Sequence, residues 1–193
     1  MTFLHLPIPS NISEILQSIP LSGKIVRADP SDHCTLMYFE DDMDLDYALK
    51  IIPIVANITS KTKPFIINFS KFSSFPSGKY GTPIVCILKS PELIKLRTEI
   101  KNAFEDNDID FSNKFPSFKP HITLGYYEEE HSGKFNEVAF PVNKIIFELN
   151  SDNKEKETLK VEFPFGNTIK YSEALLDHIS GHFEKLANGK NIT

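Results

Sequence analysis

Two histidines stand out because a hydroxyl follows each at the same spacing: His33-Cys-Thr35-Leu36-Met-Tyr38 and His121-Ile-Thr123-Leu124-Gly-Tyr126. Imidazole titrates near pH 6.5, so close to neutrality it serves as base or as acid. Side chains alternate along a strand, which puts His33 and Thr35 on one face, and likewise His121 and Thr123. The same alternation sends Leu36 with Tyr38, and Leu124 with Tyr126, toward the core. An imidazole beside a hydroxyl, present twice, suits cleavage of a phosphodiester without a metal. One imidazole takes a proton from the attacking water or hydroxyl and the other protonates the leaving oxygen. The threonines donate to non-bridging oxygens, holding the phosphate in line and stabilising charge as it builds. His33 and His121 are therefore the expected catalytic pair, with Thr35 and Thr123 as phosphate ligands. Spacing does not say which histidine is the acid.

The elements that must carry these residues repeat as well. Thr2 to Leu6 reads as a strand stopped by Pro7 and Pro9, and Ser10 is placed to cap a short helix through Ser18. Turn residues fill Pro20 to Asp32, and His33 to Phe39 reads as a strand. In the second half, the apolar run from Pro83 to Leu88 suits a buried strand. Ser90 and Pro91 start a helix with Leu93, Leu96, Ile100 and Phe104 on one face, and His121 to Tyr127 is again a strand. Strand, helix, loop and His-x-Thr strand thus occur twice, an internal repeat of one unit. If the two copies pack about a pseudo-twofold axis, both motifs face one cleft. Further elements are a helix over Leu45 to Asn57, capped by Asp44 and kinked or divided at Pro53, and a strand from Phe65 to Phe72. A hairpin from Lys144 to Asn150 and Thr158 to Phe163 turns at Ser151-Asp-Asn-Lys154, and a terminal helix covers Tyr171 to Leu186. One domain over 1–165, with repeats of roughly 1–80 and 81–165, precedes a helical tail over 166–193.

Composition bounds the partners. The chain has 193 residues and a formal charge of −5, which argues against a broad electrostatic grip on duplex nucleic acid. No apolar run approaches the ~18 residues of a membrane span, and the N-terminus lacks the basic start of a signal peptide. Cys34 and Cys86 sit in apolar runs and read as buried free thiols in a reducing, cytoplasmic setting. His178 and His182 have metal-ligand spacing without a third donor, and the Glu40-to-Asp46 run reads as a solvated, helix-capping stretch, so no metal or cofactor is expected. Ser-Gly-Lys at Ser22, Ser77 and Ser132 lacks the earlier glycine of a phosphate-binding loop.

The motifs His33-Cys-Thr35-Leu36 and Pro120-His121-Ile-Thr123-Leu124, with Phe3-Leu-His-Leu-Pro-Ile-Pro9, Asp29-Pro-Ser-Asp-His33 and Pro91-Glu-Leu-Ile-Lys-Leu-Arg97, resemble the two-histidine (2H) phosphoesterases, which include 2′,5′-RNA ligase-like proteins. The resemblance runs from about Phe3 to Phe163. It implies a bilobal α+β fold whose two antiparallel sheets enclose a central cleft. It also implies action on 2′,3′-cyclic phosphates, 2′–5′ linkages or cyclic nucleotides. The expected function is metal-independent hydrolysis of a small cyclic or 2′-hydroxyl-bearing nucleotide. Its rivals are RNA end processing or 2′–5′ ligation, and capture of a nucleotide without turnover. The partner is a small nucleotide or an RNA end, with no membrane or extended duplex. Secondary candidates for substrate contact are Lys119, Tyr127 with Gly125 on the His121 face, and Lys79 and Tyr80 in the turn-rich loop from Phe75 to Thr82.

Overall fold

In the computed structural model, residues 2–28, 30–39, 43, 45–112, 117–149, 159–166, 170, 171 and 180 are described. In chain order the elements are β1 (Phe3–Pro7), α1 (Ser10–Gln17), β2 (Ile25–Arg27), β3 (His33–Tyr38), α2 (Leu45–Thr59), β4 (Phe65–Ser74) and β5 (Thr82–Ile87). There follow α3 (Pro91–Asp106), β6 (His121–Tyr127), β7 (Gly133–Val142), β8 (Lys144–Leu149), β9 (Leu159–Pro164) and β10 (Lys170–Tyr171). The strands form two antiparallel five-stranded sheets, ordered β10-β9-β8-β1-β3 and β2-β6-β5-β4-β7. The class is α+β, as the family resemblance implies.

The repeated unit is visible in the topology, but the two copies exchange strands. In the first, β1 and β3 pair with α1 between them; in the second, β5 and β6 pair with α3 between them. The first copy then sends β4 across to pair with β5, and the second sends β8 back to pair with β1. Neither sheet is built from one half of the chain. One hydrophobic core serves both, because strand alternation turns Leu4, Leu6, Cys86 and Leu88 inward together with Ile51, Val55, Leu93, Ile100 and Phe104 of the helices. Both cysteines are free and buried in it.

Local chemistry explains most boundaries. Ser90 accepts a hydrogen bond from the Leu93 N–H at 3.2 Å, and Pro91 fits the first turn, where its missing N–H costs nothing. Ser10 differs from its expected role. The cap is Pro9, whose extended backbone offers its carbonyl to Ile12 and Ser13, and Ser10 is already helical. Pro53 neither breaks nor divides α2. Its ring is exposed, while Ala48, Ile51, Ile52 and Val55 are buried and hold the helix on both sides. Within the stretch read as turns, Ile25–Arg27 forms β2, and β7 is a further strand. All of β2 is exposed and so carries no buried alternation, whereas β7 alternates only after a polar, charged start, with Phe140 and Val142 buried. Lys170 and Tyr171 pair with β9 as a strand and do not open a helix. Ser180 is helical, as expected; the rest of the expected tail helix, the turn at Ser151, the Asp44 cap, the acidic run over 40–42 and 44, and the His178/His182 pair lie outside the described residues. Among the described residues, no helix is long and apolar enough to cross a membrane.

Phe147 on β8 is fully buried and meets Phe39 edge-on at 5.5 Å, joining the strand that returns to the first sheet to the end of the first motif strand. Phe147→Ala is expected to cost about 3–5 kcal/mol of unfolding free energy, read as a lowered urea midpoint with an unchanged m-value.

Candidate active site

Each motif strand carries one extra residue, and it is the motif leucine. In β3 the partners of Leu4 and His5 are Met37 and Thr35, which leaves Leu36 unpaired; in β6 the partners of Ile84 and Val85 are Gly125 and Thr123, which leaves Leu124 unpaired. A bulge of this kind shifts side-chain parity by one. His33, Thr35 and then Tyr38 share a face, and Thr35 Oγ1 donates to Tyr38 Oη at 3.3 Å. By the same register, His121, Thr123 and then Tyr126 share a face, opposite Ile87, Val85 and Pro83. The simple alternation is therefore corrected: both tyrosines join their histidines. Gly125 and Tyr127 turn away, and Tyr127 is buried, so it is no candidate for substrate contact at this face.

The two motif strands meet at a seam. The Ser31 N–H donates to the Thr123 carbonyl at 2.8 Å, joining the approach to His33 with the second motif, while the Ser31 hydroxyl donates to the His33 carbonyl. Each imidazole is held through Nδ1. His121 Nδ1 lies 2.7 Å from the Lys119 carbonyl, which only accepts, so Nδ1 carries hydrogen and Nε2 is left for chemistry. His33 Nδ1 lies 3.1 Å from Asp32 Oδ1, and a carboxylate there selects the same tautomer. Burial lowers the pKa of both rings, opposed at His33 by the Asp32 hydrogen bond and at His121 by the Lys119 carbonyl. His121 is lowered further by the charge of His33, so the two rings sit within electrostatic reach of each other. The edge of Phe75 packs on His121 at 4.7 Å between ring centres.

The symmetry ends behind the first motif. Opposite Thr35 on β1 stands His5, whereas opposite Thr123 on β5 stands Val85. His5 is buried, meets His33 at 5.0 Å between ring centres, and hydrogen-bonds Glu148 Oε1 through Nε2 at 3.1 Å. Lys160 reaches the same Glu148 oxygen at 2.6 Å, and Phe3 packs on both imidazoles at 5.0 Å. Sequence reasoning missed His5, Glu148 and Phe75. Only His5 carried a signal: on an alternating strand it must lie on the face away from Leu4 and Leu6. Of the secondary candidates, Lys119 contributes its carbonyl and has an exposed side chain. Lys79 and Tyr80 sit at a tight turn beside Tyr126.

Residues 27–140 match the family model of the 2′-5′ RNA ligase superfamily. Among solved structures, the chain is similar to TT0787 of Thermus thermophilus (TM-score 0.64, 17% identity, 86% of this chain and 99% of that one). It is also similar to E. coli LigT complexed with 3′-AMP (TM-score 0.59, 16% identity, 89% and 97%) and with ATP (TM-score 0.57, 15% identity, 88% and 96%). No curated protein matches the chain by sequence.

Glu148 ties this cluster to the pH dependence of stability. The hydrogen bond from His5 pushes its carboxyl down from 4.5 to about 2, against the opposing effect of burial and with help from Lys160. A depressed carboxyl stabilises the fold above its unfolded pKa, and that contribution is lost as pH falls through the folded one. Urea melts between pH 5 and 2 are expected to show a steep loss of stability in the wild type and a shallower one in Glu148→Gln. Identical slopes would rule out the carboxylate as the cause.

Proposed function

The chain belongs to the 2′-5′ RNA ligase superfamily, whose members act on phosphodiester bonds, and we propose that it is a metal-independent phosphodiesterase of small cyclic or 2′-hydroxyl-bearing nucleotides, with His33 and His121 as the catalytic pair. The observation that carries this reading is the pair itself. Two imidazoles come from equivalent strands, each is fixed through Nδ1, and the Ser31–Thr123 backbone hydrogen bond joins the approach to one motif with the other. One Nε2 accepts a proton from water or a ribose 2′-hydroxyl as it attacks phosphorus; the other gives a proton to the leaving oxygen. Each such transfer contributes about 10²–10⁴-fold. Thr35 and Thr123, one strand step beyond each histidine, donate to the non-bridging oxygens.

Two histidines have modest power against an unactivated linkage. A strained 2′,3′-cyclic phosphate, or a linkage with a neighbouring hydroxyl as internal nucleophile, lowers the barrier that the protein must overcome. The complex of LigT with 3′-AMP, a compact nucleotide with one phosphate, supports that substrate class. So does the net charge of −5, which disfavours a long polyanion.

The test is turnover of a panel of cyclic and 2′–5′-linked nucleotides, each paired with its 2′-deoxy form where one exists. Activity is expected to persist in excess chelator and to fall by at least about 10³-fold in His33→Ala and His121→Ala, with the double variant little worse than the poorer single. Thr35→Val and Thr123→Val should each cost on the order of 10²–10³-fold. Full activity in the double histidine variant would refute the assignment.

The pH dependence follows from the direction of the shifts. Both imidazoles titrate below the ordinary 6.5 in the free protein. The base is therefore free at lower pH than usual, and the acid loses its proton earlier. The bell of kcat/KM is expected to peak on the acid side of about pH 6.5; a maximum above about pH 7.5 would contradict the buried pair.

A further inference from the structure

We propose that Arg27, Lys79, Tyr80 and Tyr126 form a subsite for the nucleotide unit next to the scissile phosphate, with Tyr80 stacking a base and the two cations meeting a neighbouring phosphate. This deepens the phosphodiesterase reading and rests on it for the identity of the scissile group.

Four observations converge on the subsite. The bulge at Leu124 brings Tyr126 onto the face of His121 and Thr123, and three residues of strand carry it about 7–10 Å beyond Thr123. Arg27 on β2 pairs with Tyr126, so the edge strand adds a guanidinium at that point. Arg27 Cζ lies 5.1 Å from the centre of the Tyr80 ring and 6.0 Å from that of Tyr126, and Lys79 Nζ lies 5.4 Å from Tyr80. The Tyr80 and Tyr126 rings meet edge-on at 6.2 Å, and Tyr80 remains 46% exposed.

The presenting loop is a built turn. Gly78 and Gly81 exchange two backbone hydrogen bonds, at 2.9 and 3.1 Å, with Lys79 and Tyr80 between them. Gly81 has φ +96°, and a side chain there would come within 2.8 Å of the Tyr127 carbonyl and 3.2 Å of Val26. Glycine therefore lets the turn press directly on β2 and β6, which fixes Tyr80 beside Arg27.

Exposed aromatic rings flanked by cations suit single-stranded nucleotides, because stacking is indifferent to the base while the cations meet phosphate. The other motif has a different arrangement: Tyr38 accepts a hydrogen bond from Thr35 and packs near Phe3 at 6.4 Å. The cleft therefore has a direction, with the second nucleotide on the Tyr126 side. The substrate class that fits has at least two nucleotide units, linear or cyclic, and exceeds a mononucleoside 2′,3′-cyclic phosphate.

The experiment compares kcat/KM for a 2′–5′-linked or cyclic dinucleotide with that for a mononucleoside 2′,3′-cyclic phosphate. In Arg27→Ala and Tyr80→Ala the ratio is expected to fall about 10- to 100-fold, carried by KM of the dinucleotide, and Tyr80→Phe should restore most of it. An equal loss on both substrates, or an unchanged ratio, overturns the subsite. Calorimetric binding of the dinucleotide to His121→Ala, with and without Arg27→Ala, keeps the two readings separate. If the wild type turns over neither substrate, the phosphodiesterase reading fails. Weaker binding in the Arg27 variant would still uphold the subsite, and equal binding would overturn it.

Discussion

One extra residue in each motif strand, Leu36 in β3 and Leu124 in β6, governs which side chains reach the cleft. A regular strand would place only a histidine and a threonine there and bury the tyrosine behind them. The bulge keeps the pair and turns the tyrosine outward as well, three residues further on. A bulge removes ladder hydrogen bonds and bends the strand, so something must hold it. At Leu36 the unpaired residue is itself buried, and burial of such a side chain contributes roughly 1.5–3 kcal/mol. The same device at the same motif position in both copies gives the site its near symmetry.

Around that frame the two imidazoles are treated differently. His121 rests against a neutral carbonyl and a phenyl edge, with Val85 on the neighbouring strand. His33 has a carboxylate on one side and, across the strand, a second imidazole tied to Glu148, which Lys160 also holds. Burial is the largest influence on His33 and, together with the nearby His5 ring, disfavours an imidazolium there, outweighing the stabilising Asp32 carboxylate. The two imidazoles therefore sit in unlike surroundings, although their motifs are alike. The subsite proposed beside Tyr126 would extend the same asymmetry to substrate direction.

The motif strands and their order were legible in the sequence, because alternation, the Ser90-Pro91 cap and the duplicated His-x-Thr all act locally, while the α+β class came from the family resemblance those motifs carry. What escaped it depends on pairing between distant segments. Parity beyond Thr35 and Thr123 follows from how β1 and β5 register against the motif strands, so Tyr127 was expected at the site and Tyr126 was not. Ser10 lost the cap to Pro9 through backbone geometry alone. Pro53 stayed within a helix because the core grips the residues on either side. Strand β2 is exposed throughout, β7 opens on a polar, charged stretch before Val138, Phe140 and Val142 turn to the core, and the exchange of β4 and β8 between sheets has no local signature.

The central claim is that both motifs hold one phosphate. The direct measurement is an imidazole nitrogen spectrum of the uniformly ¹⁵N-labelled protein, with His33 and His121 assigned by substitution, during titration with 3′-AMP. A shared phosphate predicts that the Nε2 signals of both rings move together along a single isotherm at one nucleotide per chain, while both Nδ1 positions keep their hydrogen. Movement of only one ring, or two rings following separate isotherms, would contradict a shared phosphate site.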